Sequence, residues 1–354
     1  MPRFLQPQLA PIAELPRAAL ANLPTPIQPL RRLTAALGGP EIWLKRDDLT
    51  GLAGRGNKTR KLEFLVGEAL ESGAETLVTV GALQSNHTRQ TAAAAARVGM
   101  HCALLHNCWT ADAGPTYRTV GNILFSSLLG ATLYHDPTPR HIGDEGHLEA
   151  LAEHLAAEGQ QPYLIPGGAS DHPLGGLGYA LCAGEILDHE DELGARFDCV
   201  MHCTGSSGTQ AGLLAGFAAT GSATRVIGVA DDNELDEKTG RIKRIANQTL
   251  EAIGSLERIE ESQVEVIVAD PSAYGVATSE TLDAIRTLAL CEGIMADPVY
   301  EGKALRGLNQ LIDAGELNAS QRVLLLHLGG TPAIHAYANQ LWDGGLSLLP
   351  FAES

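Results

Sequence analysis

The sequence Gly54-Arg55-Gly56-Asn57-Lys58-Thr59-Arg60-Lys61 joins a strand predicted at 42–46 to a helix predicted at 60–72. Glycines in such a turn let the backbone approach a ligand closely. Burial and cationic neighbours lower the pKa of a lysine amine, and basic residues follow Lys58 closely. An amine in that environment can form a Schiff base with an aldehyde cofactor. The alternative is a basic helix N-terminus in contact with solvent, which this stretch taken alone favours.

Two further segments follow predicted buried strands and open predicted helices: Gly81-Ala82-Leu83-Gln84-Ser85-Asn86-His87-Thr88-Arg89-Gln90 and Thr204-Gly205-Ser206-Ser207-Gly208-Thr209-Gln210-Ala211-Gly212. In the second segment, backbone N–H groups, hydroxyl groups and the helix dipole together make an anion site. A glycine turn with capping serines has the same composition, and nucleotide-binding folds carry such loops too. In the first segment, Ser85 or Asn86 is a candidate helix cap. The lysine stretch upstream favours the binding interpretation.

Together with the lysine stretch, these motifs resemble those of the fold-type-II pyridoxal-phosphate enzymes. The resemblance is to the branch that holds 1-aminocyclopropane-1-carboxylate (ACC) deaminase and D-cysteine desulfhydrase. It runs from about Leu23 to Tyr337, and the motifs occur in the family's order. It implies an α/β fold of the tryptophan synthase β type, with two doubly wound lobes and pyridoxal 5′-phosphate in the cleft between them.

The resemblance also implies roles for individual residues. Lys58 forms the Schiff base and Lys61 contacts the phosphate. Asn86 faces the phenolic oxygen of the cofactor, and Ser85 binds the substrate carboxylate and handles protons. We expect His87 to be a structural or outer-shell histidine and not a base. The residues implied to bind the cofactor are Lys58, Lys61, Asn86, Gly205, Ser206, Ser207, Gly208, Thr209, Glu301 and Leu328.

Two tyrosines complete the implied catalytic set, which is Lys58, Ser85, Tyr274 and Tyr300. A tyrosine after a proline turn more often packs with its hydroxyl hydrogen-bonded. The family places both rings at the substrate, with Tyr300 positioned for proton transfer or attack.

The segment Asp297-Pro298-Val299-Tyr300-Glu301-Gly302-Lys303 bears on the substrate. A carboxylate that faces the pyridine nitrogen keeps it protonated and strengthens the electron sink. Members that act on ACC carry Glu at this place and Leu in the last His-Leu-Gly-Gly turn, whereas desulfhydrases have Thr or Ser and then Thr. The pair Glu301 and Leu328 is therefore the ACC type, while the Gly-Ser-Ser-Gly-Thr and Gln-Ser-Asn-His motifs are closer to the desulfhydrase form.

Composition narrows the class of protein independently of the motifs. The chain has 354 residues, a hydrophobic fraction of 44% and a formal net charge of −17. That charge argues against nucleic acid or an anionic membrane surface as a partner, and together with locally clustered Lys and Arg it favours small anionic ligands held in a pocket. The cysteines show no Cys-x-x-Cys pair, so we expect reduced thiols in a cytoplasmic protein and no metal site. We expect neither a signal peptide nor a membrane span.

Alternating strand and helix patterns predict two lobes. We assign 51–160 to a small domain, and 1–50 with 161–354 to a large cofactor-binding domain. The strand at 163–165 falls in the second alternation, and the charged stretch 231–243 is predicted to be a solvated loop and helix start. The proline-rich segment 1–40 is expected to wrap a lobe, and the enzyme is expected to be a homodimer.

The predicted activity is deamination of a small amino acid to a 2-oxo acid and ammonia. With ACC the product is 2-oxobutanoate; the alternative is β-elimination from D-cysteine or a related β-substituted alanine to give pyruvate. A dinucleotide-dependent oxidoreductase or a binding protein is a further alternative. No Gly-x-Gly-x-x-Gly with an acidic residue about 20 positions on supports it.

Overall fold

The computed structural model describes residues 6–140, 144–233 and 235–341. Within them the chain forms ten β-strands and eleven α-helices, joined in places by short 3-10 helices. The strands are β1 (Ile27–Pro29), β2 (Glu41–Lys45), β3 (Thr76–Ala82), β4 (His101–Cys108), β5 (Thr132–Pro139), β6 (Pro162–Ile165), β7 (Cys199–Thr204), β8 (Arg225–Ala230), β9 (Glu265–Ile267) and β10 (Arg322–Leu326). The helices are α1 (Arg31–Leu37), α2 (Lys58–Glu71), α3 (Asn86–Val98), α4 (Asn122–Leu128), α5 (Gly146–Ala157), α6 (Leu177–Leu193), α7 (Gly208–Ala219), α8 (Leu235–Ile253), α9 (Ser279–Glu292), α10 (Glu301–Asp313) and α11 (Ala338–Leu341).

The larger sheet has the strand order β1-β2-β10-β7-β8-β9. Strand β1 is antiparallel to β2, and the remaining pairs are parallel. Alternate residues of β7 and β10 enter hydrophobic clusters on opposite faces. Helices α1, α9 and α10 cover one face, and α6, α7 and α8 cover the other. Both faces are therefore buried, as parallel sheets require.

The smaller sheet has the order β5-β4-β3-β6, and all of its pairs are parallel. Its central strand β3 is buried along its whole length. Helices α2 and α3 pack on one face and α5 on the other. The two sheets confirm the predicted α/β class and its doubly wound lobes.

The sequence pattern assigned the strand predicted at 163–165 to the larger sheet, which is wrong. Strand β6 pairs in parallel with β3, with Thr76 opposite Pro162, so it belongs to the smaller sheet. An apolar run predicts a strand but carries no information on which neighbour it pairs with, because pairing depends on the crossover that precedes it. The division of the chain near residue 160 stays a prediction.

The N-terminal region does more than wrap a lobe. Strand β1 adds an edge to the larger sheet, which the sequence did not predict. The preceding residues contact α2, where the Glu63 carboxylate accepts hydrogen bonds from the backbone N–H groups of Leu20 and Ala21 and from the Arg17 guanidinium. These bonds fasten the segment to the helix that begins with Lys58.

Among the described residues, no helix combines the length and the apolar character needed to cross a membrane.

Candidate active site

The carboxyl ends of strands from both sheets meet at one cavity, the position that open α/β sheets use for ligands. Most of the predicted site residues lie in its wall: Lys58, Ser85, Asn86, Gly205, Ser206, Ser207, Thr209, Tyr274, Tyr300, Glu301 and Leu328. Lys61 and Gly208 lie directly behind the wall. A Cβ built on Gly208 would come within 3.0 Å of Lys61 Nζ, so these two are also neighbours.

Two lysines and two serines form a polar chain that runs from the cavity wall to the residues behind it. Lys58 Nζ lies 3.4 Å from Ser206 Oγ, which is 2.8 Å from Ser170 Oγ. Lys61 Nζ donates a hydrogen bond of 2.9 Å to the same Ser170 hydroxyl. The two amines thus bracket a pair of hydroxyl groups at the start of α7, where the helix dipole favours an anion.

Both amines are placed to bind an anionic group. Burial lowers the pKa of Lys58 to about 8, although the charge of Asp231 opposes the shift. Burial, and then the charge of Lys58, lowers the pKa of Lys61 well below its usual range. Among the described residues no carboxylate forms an ion pair with Lys61. A buried amine without a counter-charge is costly, and a phosphate group would supply that charge.

The glycine-serine loop after β7 is closely packed. A Cβ on Gly205 would come within 2.3 Å of Asp231 Oδ2, so no larger residue fits there without movement. Ser207 has a positive φ of 73° at the start of α7, and its hydroxyl has no partner among the described residues. Asn57 Nδ2 donates to the Thr209 hydroxyl at 3.2 Å, which ties this loop to the turn before Lys58.

Ser85 is the N-cap of α3, and Asn86 is the first residue of that helix. Asn122 Nδ2 donates to Asn86 Oδ1 at 2.8 Å, so the Asn86 amide presents its N–H groups to the cavity. The Ser85 hydroxyl accepts from the Thr88 N–H at 3.3 Å, which confirms that it caps the helix. The Ser85 hydroxyl hydrogen is left available for a ligand. His87 Nε2 lies 2.7 Å from the Thr79 hydroxyl, which is consistent with a structural role.

Glu301 presents an unpaired carboxylate oxygen. The residue is 3% exposed, and its Oε1 has no hydrogen-bond partner among the described residues. Its Oε2 lies 3.7 Å from His327 Nδ1, but that nitrogen accepts from the Gly329 N–H while His327 Nε2 donates to the Met295 carbonyl. The imidazole therefore offers Glu301 a lone pair and no proton.

Burial, and then the charge of Asp297, raises the pKa of Glu301 well above its usual range. A cationic N–H donor placed against Oε1 would oppose this shift, because an opposite charge favours the carboxylate form. The protonated nitrogen of a pyridine ring is such a donor. An anion cradle at Lys61 and Ser206, an amide donor at Asn86 and a carboxylate at Glu301 together fit pyridoxal phosphate.

Tyr274 and Tyr300 form a pair in the cavity wall. Their hydroxyl oxygens are 2.7 Å apart, and their rings meet edge to face with centroids 6.0 Å apart. Burial raises the pKa of both phenols, so each keeps its proton at neutral pH. Because one hydroxyl donates to the other, the second proton is available to a group in the cavity.

One charged cluster in the cavity wall was not found from the sequence, because the stretch 231–243 was predicted to be solvated. Asp231 and Lys238 are buried and ion-paired at 2.7 Å, and Lys238 also contacts Asp232 at 3.1 Å. Charge alone suggested solvent exposure, but paired charges can be buried. Two aspartates directly after a buried strand were the available signal, because strand carboxyl ends border ligand sites.

Comparison with known proteins identifies the enzyme family. A family model described as pyridoxal-phosphate dependent enzyme matches residues 18–329. The chain therefore belongs to the pyridoxal-phosphate-dependent enzymes, and pyridoxal phosphate is its cofactor. The family, the enzyme class and the cofactor predicted from the sequence are confirmed.

Two curated relatives carry the same name. The 1-aminocyclopropane-1-carboxylate deaminase of Burkholderia vietnamiensis (strain G4) is 45% identical over 338 residues, which is 94% of this chain and 99% of the relative. The protein of that name from Ralstonia pickettii (strain 12J) is 43% identical over 331 residues, covering 92% of this chain and 98% of its own.

Two solved structures have a similar fold. A crystal structure of an ACC deaminase homologue superposes with a TM-score of 0.86 at 34% identity, covering 95% of this chain and 99% of the other. The crystal structure of O-ureido-L-serine synthase has a TM-score of 0.63 at 19% identity, covering 91% and 94%. The second likeness concerns the fold alone.

Proposed function

We propose that this protein is an ACC deaminase, which converts 1-aminocyclopropane-1-carboxylate to 2-oxobutanoate and ammonia. The observation that carries the proposal is the unpaired Oε1 of Glu301, which shares the cavity wall with Leu328. Relatives named ACC deaminase that align over almost the whole chain support the same substrate.

The cofactor, when bound, supplies an electron sink for the reaction. Lys58 would hold it covalently, since the lowered pKa of its amine provides the neutral, nucleophilic form. Lys61 and the loop from Gly205 to Thr209 would hold the phosphate group. Asn86 would donate to the phenolic oxygen, and Glu301 would keep a proton on the ring nitrogen.

The remaining wall residues act on the substrate. The hydroxyl hydrogen of Ser85 is available to a substrate carboxylate, and the N–H groups of α3 lie beside it. Tyr300 delivers or receives a proton at the substrate carbon, and Tyr274 orients it through the 2.7 Å contact between their hydroxyls. The Leu328 side chain provides an apolar surface in the wall, suited to a hydrocarbon ring.

The Gly-Ser-Ser-Gly-Thr form of the phosphate loop favours a second candidate, D-cysteine desulfhydrase. A panel of amino acids that includes ACC and D-cysteine, assayed in parallel for 2-oxo acid and for sulfide, separates the two. We expect 2-oxobutanoate from ACC at the higher rate. Sulfide from D-cysteine with no product from ACC would overturn the proposal and leave the family assignment intact.

The proposal also covers the cellular location, the oligomeric state and the domain division of the enzyme. The six cysteines are free, which supports a cytoplasmic location. We further propose a homodimer, with residues 51–160 and strand β6 in the small domain and residues 1–50 with the remainder of 161–354 in the large domain. Sedimentation of the purified holoenzyme tests the dimer.

A further inference from the structure

Arg89 is a fully buried cation whose partners are neutral. Its exposure is 0%, and among the described residues no carboxylate forms an ion pair with it. Its three guanidinium nitrogens instead donate to the Asn122 side chain and to the backbone carbonyls of Ala53 and Arg55. Burial lowers the pKa of Arg89 to about 9, which keeps it charged at neutral pH. Burying an arginine without a carboxylate partner costs folding free energy, so its contacts require an explanation.

One arm of the guanidinium holds the loop that leads to Lys58. In that loop Leu52 and Arg55 both have a positive φ, of 51° and 60°. Side chains other than glycine rarely adopt this conformation, so the loop is strained. Arg89 Nη2 donates to the Arg55 carbonyl at 3.0 Å, and Nη1 donates to the Ala53 carbonyl. The guanidinium thus fixes the loop on both sides of Gly54.

The other arm reaches the amide in the cavity wall. Arg89 Nε donates to Asn122 Oδ1 at 2.7 Å. This bond fixes which way the Asn122 amide points, so its Nδ2 donates to Asn86 Oδ1 at 2.8 Å and to the Gln84 carbonyl at 2.8 Å. Through Asn122, Arg89 therefore sets which end of the Asn86 amide faces the cavity.

We propose that Arg89 is a positioning residue that holds two cofactor contacts at once, the loop before Lys58 and the amide of Asn86. The inference rests on the proposed roles of those two residues. Arg55 stands where a glycine would be unstrained, so in this chain the guanidinium stabilises a loop that its own sequence disfavours. Lysine cannot replace it, because an ammonium cannot span the three acceptors in one plane.

The contact between Arg89 and the loop before Lys58 is tested in the apoenzyme by hydrogen exchange of the amides at 55–57. These amides donate within the fold, to the Leu52 carbonyl, the Thr50 hydroxyl and the Leu328 carbonyl. In Arg89→Lys we expect them to exchange at least tenfold faster, and the holoenzyme to lose cofactor faster on dialysis. Arg97→Lys, at an exposed position of the same helix, is the matched control and should change neither.

Replacing Arg55 by glycine separates positioning from general destabilisation. Glycine adopts the positive φ without strain, so Arg89→Lys with Arg55→Gly should recover about fivefold of the lost cofactor affinity. Arg55 is exposed, so its side chain contributes little packing. No recovery in the double variant would mean that Arg89 acts on the general fold and not on this loop.

Asn122→Asp tests only the contact that Arg89 makes with Asn86 through Asn122. The aspartate keeps an acceptor for Arg89 but loses the donor to Asn86, whose amide then turns over and withdraws its N–H from the cavity. We expect normal exchange at 55–57 and an upward shift, of about one unit, in the pH midpoint of the bound cofactor's visible absorption. This variant keeps the test decisive even where Arg89→Lys does not fold.

Unchanged exchange in Arg89→Lys together with an unchanged midpoint in Asn122→Asp would overturn the proposal. The anchoring role of Lys58 would then still stand, because it is measured separately by trapping the cofactor on that lysine.

Discussion

At the scale of single residues, Lys58 is distinguished from other lysines by its surroundings. Lys45 is ion-paired with Glu185 and Lys238 with Asp231, whereas Lys303 donates to backbone carbonyls. Lys58 contacts a serine hydroxyl in an open cavity. The sequence motif pointed to the same lysine, since the neighbouring glycines mark a turn that approaches a ligand.

We predict that Lys58→Ala abolishes turnover and prevents covalent trapping of the cofactor by borohydride. The fold should be retained, because Lys58 starts α2 without an ion-pair partner among the described residues. Peptide mapping after reduction measures the outcome, and Lys243→Ala, at the surface, is the control. Cofactor trapped on another lysine would show that the anchor has been misassigned.

The proposed preference for ring opening over thiolate elimination also depends on individual residues. Opening a cyclopropane ring demands a strong electron sink, whereas elimination of thiolate needs α-proton removal and a good leaving group. In the proposed arrangement, Glu301 supports the sink only while its carboxylate faces a protonated ring nitrogen. A threonine hydroxyl there is neutral and would support that proton less.

We therefore predict that Glu301→Thr combined with Leu328→Thr lowers ACC turnover on the order of 100-fold and raises sulfide release from D-cysteine. The two changes should be non-additive, because both act at one ring and its substrate. The ratio of the two rates is measured in the wild type, both single variants and the double variant. An unchanged ratio would show that these residues do not set the reaction.

At the scale of elements, the close packing of the loop between β7 and α7 bears on its proposed role as the phosphate site. The nearest obstacle to a side chain at Gly205 is the Asp231 carboxylate, which is ion-paired with Lys238. The loop and the β8 terminus are therefore packed as a unit, and a change at one displaces the other.

Gly205→Val is predicted to weaken cofactor affinity about tenfold or more while it lowers the thermal midpoint only modestly. A Cβ at this position would lie 2.3 Å from Asp231 Oδ2, and the loop must move to accept it. Gly240→Val is the control, since a Cβ there meets nothing within 4 Å. Equal cofactor retention in both variants on dialysis would contradict the assignment of this loop.

Most helices and strands were predictable from periodicity, because apolar runs and glycine-bearing turns are local signals. The helix predicted at 60–72, for example, is α2, which runs from Lys58 to Glu71. The burial of Lys238 was missed because charge suggested solvent exposure, although the two aspartates after a buried strand were an available signal. The Arg89 contacts were not predictable, because they join three segments that are separate in sequence.

At the scale of the whole molecule, a buried ionic network joins α2 to the larger sheet. Arg60 donates to Asp47 at 2.7 Å and to Glu185 at 2.8 Å, and the Tyr179 hydroxyl donates to Asp47 at 2.7 Å. Arg60 belongs to the lysine stretch, and the other three residues lie on the segments that pack against it. The position of the Lys58 helix is therefore fixed against α6.

Acid should weaken this network. Although burial opposes it, the charge of Arg60 lowers the pKa of Asp47 to about 2. The contribution of Asp47 to stability is present above its unfolded-state pKa and is lost as the pH falls towards 2. We predict that Asp47→Asn lowers the free energy of unfolding by about 3 kcal/mol at neutral pH and by less near pH 3.

Denaturant unfolding of the apoenzyme at both pH values measures this difference. Asp283→Asn, in an exposed pair with Arg286, should cost less than about 1 kcal/mol at either pH. An equal loss of stability for Asp47→Asn at both pH values would show that the network is not ionised as described.

The strand order of the larger sheet has a consequence for synthesis on the ribosome. Strand β10 is the last in sequence but lies between β2 and β7, and no other described strand joins those two. A nascent chain that has not yet released Arg322–Leu326 therefore carries two half-sheets with open edges. Such edges invite wrong pairing, so the large lobe completes its fold only after translation has passed β10. Chains that terminate early are expected to be substrates for chaperones and proteases.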